Sequence, residues 1–505
     1  MMKSRQGWLF LSIVLLLGVL TGCGGLKSAK NLATTPAPVV VGQGDGTGES
    51  AQEGEEAESE PELQTEEIVI DDTPVRVPVK VKGIYISAYV AGTPAMVDNL
   101  LAELDRTEAN ALVIDLKDDF GRVACEMDSQ LIQDVGSTKV YINDIQGLMS
   151  KLKEHNIYTI ARIPAFRDQW LGDARPDWCV KLADGSVFKD RDGNAWVNPY
   201  KKEAWDYLNE IAVQAGNLGF DEVQFDYVRF CTEKGMSEAV FDDADTEGRS
   251  RTDIILEFMD YTYENLKKEG LFVSADVFGA IINSDVNANS VGQIYGEMAK
   301  HLDYISPMIY PSHYGDGNYG IDHPDIHPYE TICAALQDSR KELYFAGQDG
   351  SHIADVRPWL QDFTATWLAN HITYGGPEVR AQIQATYDCG YDEWILWDAS
   401  CKYAWDGLLT PEAAEAEVVK IAESRAALPE TTYAPETTAP PETSAQGGDG
   451  SADGAGGAAA GTGSGGGAAG GAGAAEMETE EEEVPIIETG VPLELQLTRS
   501  ETAAN

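Results

Sequence analysis

The chain is short of positive charge. In 505 residues, 36 lysines and arginines face 84 aspartates and glutamates, a formal net charge of −48. Like-charge repulsion argues against nucleic acid and anionic lipid headgroups as partners. Cysteine is also sparse: there are seven, and no two stand as Cys-x-x-Cys, which argues against a zinc module or a small disulfide scaffold. There is no Gly-x-Ser-x-Gly nucleophile elbow, no phosphate loop and no His-Glu-x-x-His pair. The stretch Gly461-Thr-Gly-Ser-Gly-Gly466 matches a dinucleotide fingerprint only by composition, because no strand leads into it and no helix follows. The loop His323-Pro-Asp-Ile-His327 is a weak metal signal, since Pro324 and Pro328 keep both imidazoles off one helix face. No metal and no cofactor are expected.

The sequence also lacks an apolar run long enough to span a bilayer. Lys3 and Arg5 precede the short apolar run Trp8 to Leu20, which reads as a secretory signal. Leu20-Thr-Gly-Cys23 resembles the lipobox of bacterial lipoproteins, which implies cleavage before Cys23, diacylation of its thiol and an extracytoplasmic, lipid-anchored protein. Residues 1–22 are then a signal peptide and residues 23–78 a disordered acidic tether. Residues 429–505 form a second disordered tail, Thr/Pro-rich, then Gly/Ala-rich, with an acidic run from Glu476 to Glu483. Neither tail can bury a core. The other six cysteines, all outside these tails, are expected to be free buried thiols.

Residues 79–428 remain, enough for one barrel with insertions. Strand-like and helix-like stretches alternate through them. Strands are expected at Lys82–Ser87, Ala111–Lys117, Tyr158–Phe166, Val223–Phe230, Leu271–Phe278, Tyr304–Tyr310, Leu343–Gln348 and Trp394–Asp398. Helices are expected between them, among them Pro94–Glu108, Ile142–His155, Lys201–Leu218, Thr252–Glu269, Val291–His301 and Pro377–Cys389. Eight alternations point to an α/β fold, a single (β/α)8 TIM barrel. An open doubly wound sheet would more often carry a glycine-rich first turn, and none follows Ser87.

Polar groups recur late in these apolar strands: Asp115 and Lys117, Arg162, Asp226 with Tyr227 and Arg229, Asp276, Tyr310 with His313 just beyond, and Trp397 with Asp398. A charge in a buried strand costs several kcal/mol unless it is paired or used. In a barrel the carboxyl ends of the strands build the active site, so these residues should converge there. Alternation along Val223–Phe230 turns Gln224 and Asp226 to one face and Val223 and Phe225 to the other. Asp226 and Asp276 lie on consecutive strands. Two such carboxyls are what glycoside hydrolysis requires, one donating a proton to the leaving oxygen and one stabilising or attacking the anomeric carbon. Arg162 could hold Asp226 by a forked hydrogen bond. For Asp115 and Lys117 a rim ion pair competes with a substrate role; for Asp276 the competing role is turn former. Trp170, Trp178, Trp196, Tyr227, Tyr310, Tyr314, Trp359, Trp397 and Tyr403 either stack on sugar rings or pack the core.

The stretches Gly219-Phe-Asp-Glu-Val-Gln-Phe-Asp-Tyr-Val-Arg-Phe230, Val273-Ser-Ala-Asp-Val-Phe-Gly279, Tyr304-Ile-Ser-Pro-Met-Ile-Tyr-Pro-Ser-His-Tyr314, Arg357-Pro-Trp-Leu-Gln-Asp-Phe363 and Leu396-Trp-Asp-Ala-Ser400 together resemble the bacterial putative glycoside hydrolase domain family, which is distantly similar to the α-amylase superfamily of barrels. The resemblance spans Val79 to about Tyr403. It implies a β/α barrel with Asp226, after the fourth strand, as nucleophile. The acid after the fifth strand in α-amylases is usually glutamate, whereas Asp276 stands here, with Asp398 and Asp362 as alternatives. The expectation is a glycosidase acting on an extracellular or cell-wall polysaccharide. Asp115, Lys117, Arg162, Tyr227, Arg229, Tyr310, His313, Trp359, Trp397 and Asp398 would contact the sugar. A sugar-binding lipoprotein on the same barrel and a metal-dependent deacetylase are the rival readings.

Overall fold

The computed structural model describes residues 76–426 and Tyr433. The signal segment, Cys23, the acidic tether up to residue 75 and the tail beyond residue 428, Tyr433 apart, lie outside the described residues; the last stretch of the expected tether is not free, because Arg76 donates to the backbone oxygens of Gly216, Phe220 and Glu269. Eight parallel strands form the wall: β1 (Lys82–Ile86), β2 (Ala111–Asp115), β3 (Tyr158–Pro164), β4 (Glu222–Asp226), β5 (Phe272–Phe278), β6 (Tyr304–Ile309), β7 (Trp359–Gln361) and β8 (Trp394–Trp397). They pair in chain order, with β8 bonded back to β1, so the sheet closes on itself. The main outer helices are α1 (Pro94–Leu104), α2 (Ile145–Glu154), α3 (Lys202–Leu218), α4 (Arg251–Lys268), α5 (Tyr295–Met298), α6 (Pro328–Ala346), α7 (Gly376–Asp388) and α8 (Pro411–Ala426). None of the described helices is long and apolar enough to cross a membrane.

Local sequence explains the elements around the fourth strand. Helix α3 stops at Gly219, whose φ of 103° is the left-handed C-cap geometry that glycine adopts without steric cost. Helix α4 starts with a capping box between Ser250 and Asp253 and ends on Lys267 and Lys268, which suit its dipole. Phe258 on its buried face meets Phe166 at 4.9 Å and Phe225 at 5.6 Å. Burying one such phenylalanine contributes about 1.5–3 kcal/mol. Val223 and Phe225 thus face the helices, and Glu222, Gln224 and Asp226 take the opposite, interior face.

The expected seventh strand, Leu343–Gln348, is instead the last turn of α6 and the short 3₁₀ turn after it. Its Leu-Tyr-Phe run looks strand-like, yet Leu336, Ser339 and Leu343 sit at helical spacing and continue a helix begun at Pro328. The real seventh strand comes in two short pieces. Asp355–Val356 pairs with the start of β6, and after Pro358 the chain re-pairs as β7 opposite Met308 and Ile309. Three residues give little periodicity to read. The six cysteines among the described residues are free, with the Cys333 and Cys389 sulfurs 2.7 Å apart between α6 and α7.

Candidate active site

The barrel register brings the polar residues to one level. Gln224 on β4 lies opposite Ser274 on β5, so Asp226 and Asp276, each two residues on, stand side by side on the interior face. Arg162 on β3 lies opposite Asp115 on β2 and Gln224 on β4. Its guanidinium is the hub. Nε and Nη2 donate to Asp226 Oδ2 at 3.1 and 2.6 Å, Nη1 donates to Asp115 Oδ1 at 2.7 Å, and Nη2 also reaches Asp119 Oδ1 at 2.9 Å. Both bonds to Asp226 end on one oxygen. The other oxygen, Oδ1, accepts the Tyr227 backbone N–H at 2.6 Å.

The environments of the carboxyls differ. Asp276 is 1 % exposed and its Oδ1 accepts the indole N–H of Trp359 at 2.6 Å. Burial, and then the Asp226 charge, push its proton affinity well above the ordinary carboxylate range. Asp115 accepts the Tyr85 hydroxyl at 2.5 Å, and burial raises it to about 7 against the pull of Arg162. Burial opposes ionisation of Asp119 too, yet Arg162 and Arg167 hold it below its usual value. Three aspartates share one guanidinium, and the fourth keeps a proton.

Tyr227 has a φ of 51°, a left-handed backbone that a bulky residue rarely adopts, directly after Asp226. Such strain clusters where a side chain must be held in place. Its ring lies between the guanidinium groups of Arg167 and Arg229, at 5.4 and 5.3 Å. Beyond the ends of β5 and β6 a small cleft opens, lined by Phe278, Ile281, Met308, Tyr310, His313 and Tyr314. Tyr310 is 5 % exposed; burial and then Asp276 and Asp226 raise its hydroxyl far above normal. Burial pushes His313 down to about 4, so its imidazole is neutral at ordinary pH, 3.0 Å from Ser312 Oγ.

Several expected contacts fall elsewhere. Lys117 is wholly buried, donating to Pro164 O at 2.5 Å and pairing with Asp168 at 2.9 Å. It cannot touch a substrate, because its chain runs into the wall instead of toward the opening. Trp359 is 2 % exposed and lies behind Asp276, orienting it. Arg229 is buried too, with its guanidinium on the rings of Trp196, Tyr227 and Phe278 and one hydrogen bond to Phe230 O. Trp397 packs at 4.2 Å on Tyr85 and stands 5.7 Å from the Arg162 guanidinium. Asp398 accepts the N–H groups of Ser400 and Lys402, and Asp362 that of Ala404, so the two alternative acids are spent on the loop after β8. Of the other aromatics, Trp178, Trp196 and Tyr403 are buried packing, and Tyr314 is buried beside the cleft. His323 pairs with Asp316 at the surface, while Asp325 turns inward to Gln361. Among the described residues no group of three or more His, Cys, Asp or Glu side chains is placed to hold a metal ion.

Sequence reasoning missed Asp119 and Tyr85. The Asp118-Asp119 pair past β2 was a signal, but which of the two turns inward depends on the loop; Asp118 binds Arg122 instead. Tyr85 offered none, since a tyrosine in an apolar strand reads as core.

The family model for the putative glycosyl hydrolase domain matches residues 83–403. Among solved structures, a hypothetical protein from Ruminiclostridium thermocellum is 34 % identical over 38 % of this chain and 97 % of its own, with a TM-score of 0.36. The PgaB (BpsB) glycoside hydrolase domain from Bordetella bronchiseptica is 11 % identical over 66 % and 99 %, TM-score 0.47. The α-galactosidase TtGalA from Thermus thermophilus is 12 % identical over 69 % and 63 %, TM-score 0.40. No curated protein matches the chain. None of these likenesses is close enough to transfer a residue's role.

Proposed function

The chain belongs to the putative glycosyl hydrolase domain family, and from that premise we propose that it hydrolyses an O-glycosidic bond with Asp226 as nucleophile and Asp276 as general acid and base. The observation that carries this reading is the contrast between neighbouring carboxyls: Asp226 bears two guanidinium hydrogen bonds, while Asp276 is buried with its proton. In the first step the Asp276 proton passes to the glycosidic oxygen as the C–O bond breaks, and an Asp226 oxygen bonds the anomeric carbon. In the second, the Asp276 carboxylate takes a proton from water, whose oxygen displaces Asp226. Arg162 orients Asp226 throughout, and Tyr310 and the cleft beyond β5 and β6 receive the sugar. The substrate class is an extracellular or cell-wall polysaccharide. Diacylation of Cys23, with the acidic segment as spacer, would present the barrel at the outer face of the membrane.

The test is hydrolysis of a panel of α- and β-linked polysaccharides and cell-wall fractions by the full chain, beside Asp226→Asn and Asp276→Asn. Both variants should lose about a thousandfold or more in kcat while melting no lower than wild type. Product of inverted anomeric configuration would reassign Asp226 as the base that activates water. Glycan binding without turnover in any protein would make the barrel a binding module. Mass spectrometry of the membrane-extracted protein checks the anchor: an unmodified Cys23 would end that part of the proposal.

A further inference from the structure

Four rings run from the catalytic level to the surface. Tyr310, beside Asp276, is 5 % exposed and meets the edge of Phe363 at 5.8 Å and His313 at 5.3 Å. Phe363 stacks on Trp367 at 5.9 Å with only 23° between the planes, and His313 closes on Trp367 at 6.3 Å. Phe363 and His313 are half-buried, yet Trp367 is 47 % exposed. One indole face is thus backed by Phe363 and the ring is braced edge-on by the imidazole, while nearly half its surface is given to water. Leaving that much apolar area exposed on a braced ring costs free energy unless something covers it. Neutral His313 adds no charge to the ledge. Its two outer members, Phe363 and Trp367, lie just past β7, the strand whose position sequence reasoning missed.

We propose that Phe363 and Trp367, with His313 as brace, form a subsite that stacks a sugar unit next to the one held at Asp226 and Asp276, so that the enzyme selects glycan chains over short glycosides. The inference rests on the glycosidase reading of the same site. A pyranose C–H face lies on the open side of Trp367 and the chain runs inward past Tyr310 to the carboxyls.

The test uses the full chain, Trp367→Ala and Trp367→Phe, with cello-, xylo-, malto- and chito-oligosaccharide ladders as probes, read by calorimetric binding and by turnover. For the ladder that wild type accepts, Trp367→Ala should weaken binding of the oligosaccharides about tenfold and raise their KM, with monosaccharide binding and kcat unchanged. Trp367→Phe should recover most of the loss. An equal loss at every length, or none at any, overturns the subsite while Asp226→Asn still abolishes turnover and keeps the glycosidase reading. If wild type neither binds nor cleaves any ladder, the glycosidase reading fails and the subsite falls with it. Because Trp367 lies at the surface, unchanged thermal melting separates these outcomes from misfolding.

A second, independent observation lies between α6 and α7. The half-buried Cys333 and buried Cys389 bring their sulfurs to 2.7 Å, so a bond between them needs little backbone movement. We infer that this pair closes to a disulfide in an oxidising compartment, fastening the helices before and after β7. The Cys333 thiolate attacks a low-molecular-weight disulfide and releases one thiol; Cys389 then attacks the mixed disulfide and releases the second, so two protein thiols are oxidised and one small disulfide is reduced. Cys333, lowered to about 7 chiefly by the Cys389 contact, is suited to the first step. Native full chain incubated with hydroxyethyl disulfide should lose two hydrogens in mass, yield a Cys333–Cys389 peptide and melt higher. Recovery of both residues as alkylated thiols after that incubation would overturn it.

Discussion

Each end of the barrel holds one buried arginine among carboxylates. At the amino-terminal end Arg357 donates to both oxygens of Glu222, at 2.9 and 3.0 Å, and to Glu393 at 2.9 Å. Glu222 also accepts Tyr158 and Ser274, and Glu393 accepts Lys80 and the Val81 N–H. Two cations meet two anions there. At the carboxyl-terminal end Arg162 hydrogen-bonds Asp115, Asp119 and Asp226, with the charge of Arg167 also felt at Asp119 and with Asp276 beside them. Burial first, and then the neighbouring acid charge, raises Asp276 and Asp115 there, and a raised carboxyl is a stored proton. Both networks are buried, and burial raises Glu222 too, so what distinguishes the carboxyl-terminal network is the excess of acidic side chains over the one guanidinium they share.

Breaking the balanced end should have the largest effect. Arg357→Met strands Glu222 and Glu393 in the barrel floor, and denaturant unfolding should show a loss of about 3–5 kcal/mol. An unchanged midpoint would mean that this end is not structural. At the other end, Trp359→Phe keeps the ring and removes the N–H given to Asp276. That bond favours the carboxylate, so without it Asp276 holds its proton to still higher pH. The alkaline limb of kcat/KM should therefore move up in pH, and kcat at neutral pH should fall about tenfold as Asp276 loses its orientation. A limb that stays in place would detach Asp276 from proton transfer.

The smallest effect concerns Asp362, which burial pushes up to about 8. Its folded value lies above the unfolded one of about 4, so the folded state holds the extra proton between those values and stability falls as pH rises through that window. Asp362→Asn removes the titration. The variant should match wild type near pH 4 and below, and exceed it by about 1–3 kcal/mol near pH 8. Equal slopes of stability against pH would place the protonation elsewhere.

Much of this architecture was legible along the chain. Val223 and Phe225 alternate with Gln224 and Asp226, and that period of two by itself assigned one face to the helices and the other to the interior. Seven strand positions followed from similar local patterns, while β7, three residues long after a proline, left too little pattern to read. The same reasoning found Arg162, Asp226 and Asp276, because a charge late in an apolar strand is conspicuous. It also chose Lys117 on that ground, and there it failed. Both Lys117 and Arg162 are buried charges late in their strands, and only their partners tell them apart: Asp168 in the wall for one, three aspartates at the opening for the other. Sequence alone determined seven of the eight strands, which of their faces are apolar and which of them carry charge, since these depend on neighbours one to four residues away. Closure of the barrel decided that Trp359 would reach Asp276 across 83 residues and that Tyr85 would cap Asp115. Those contacts orient the two carboxyls, and they depend on through-space distances that local sequence does not encode.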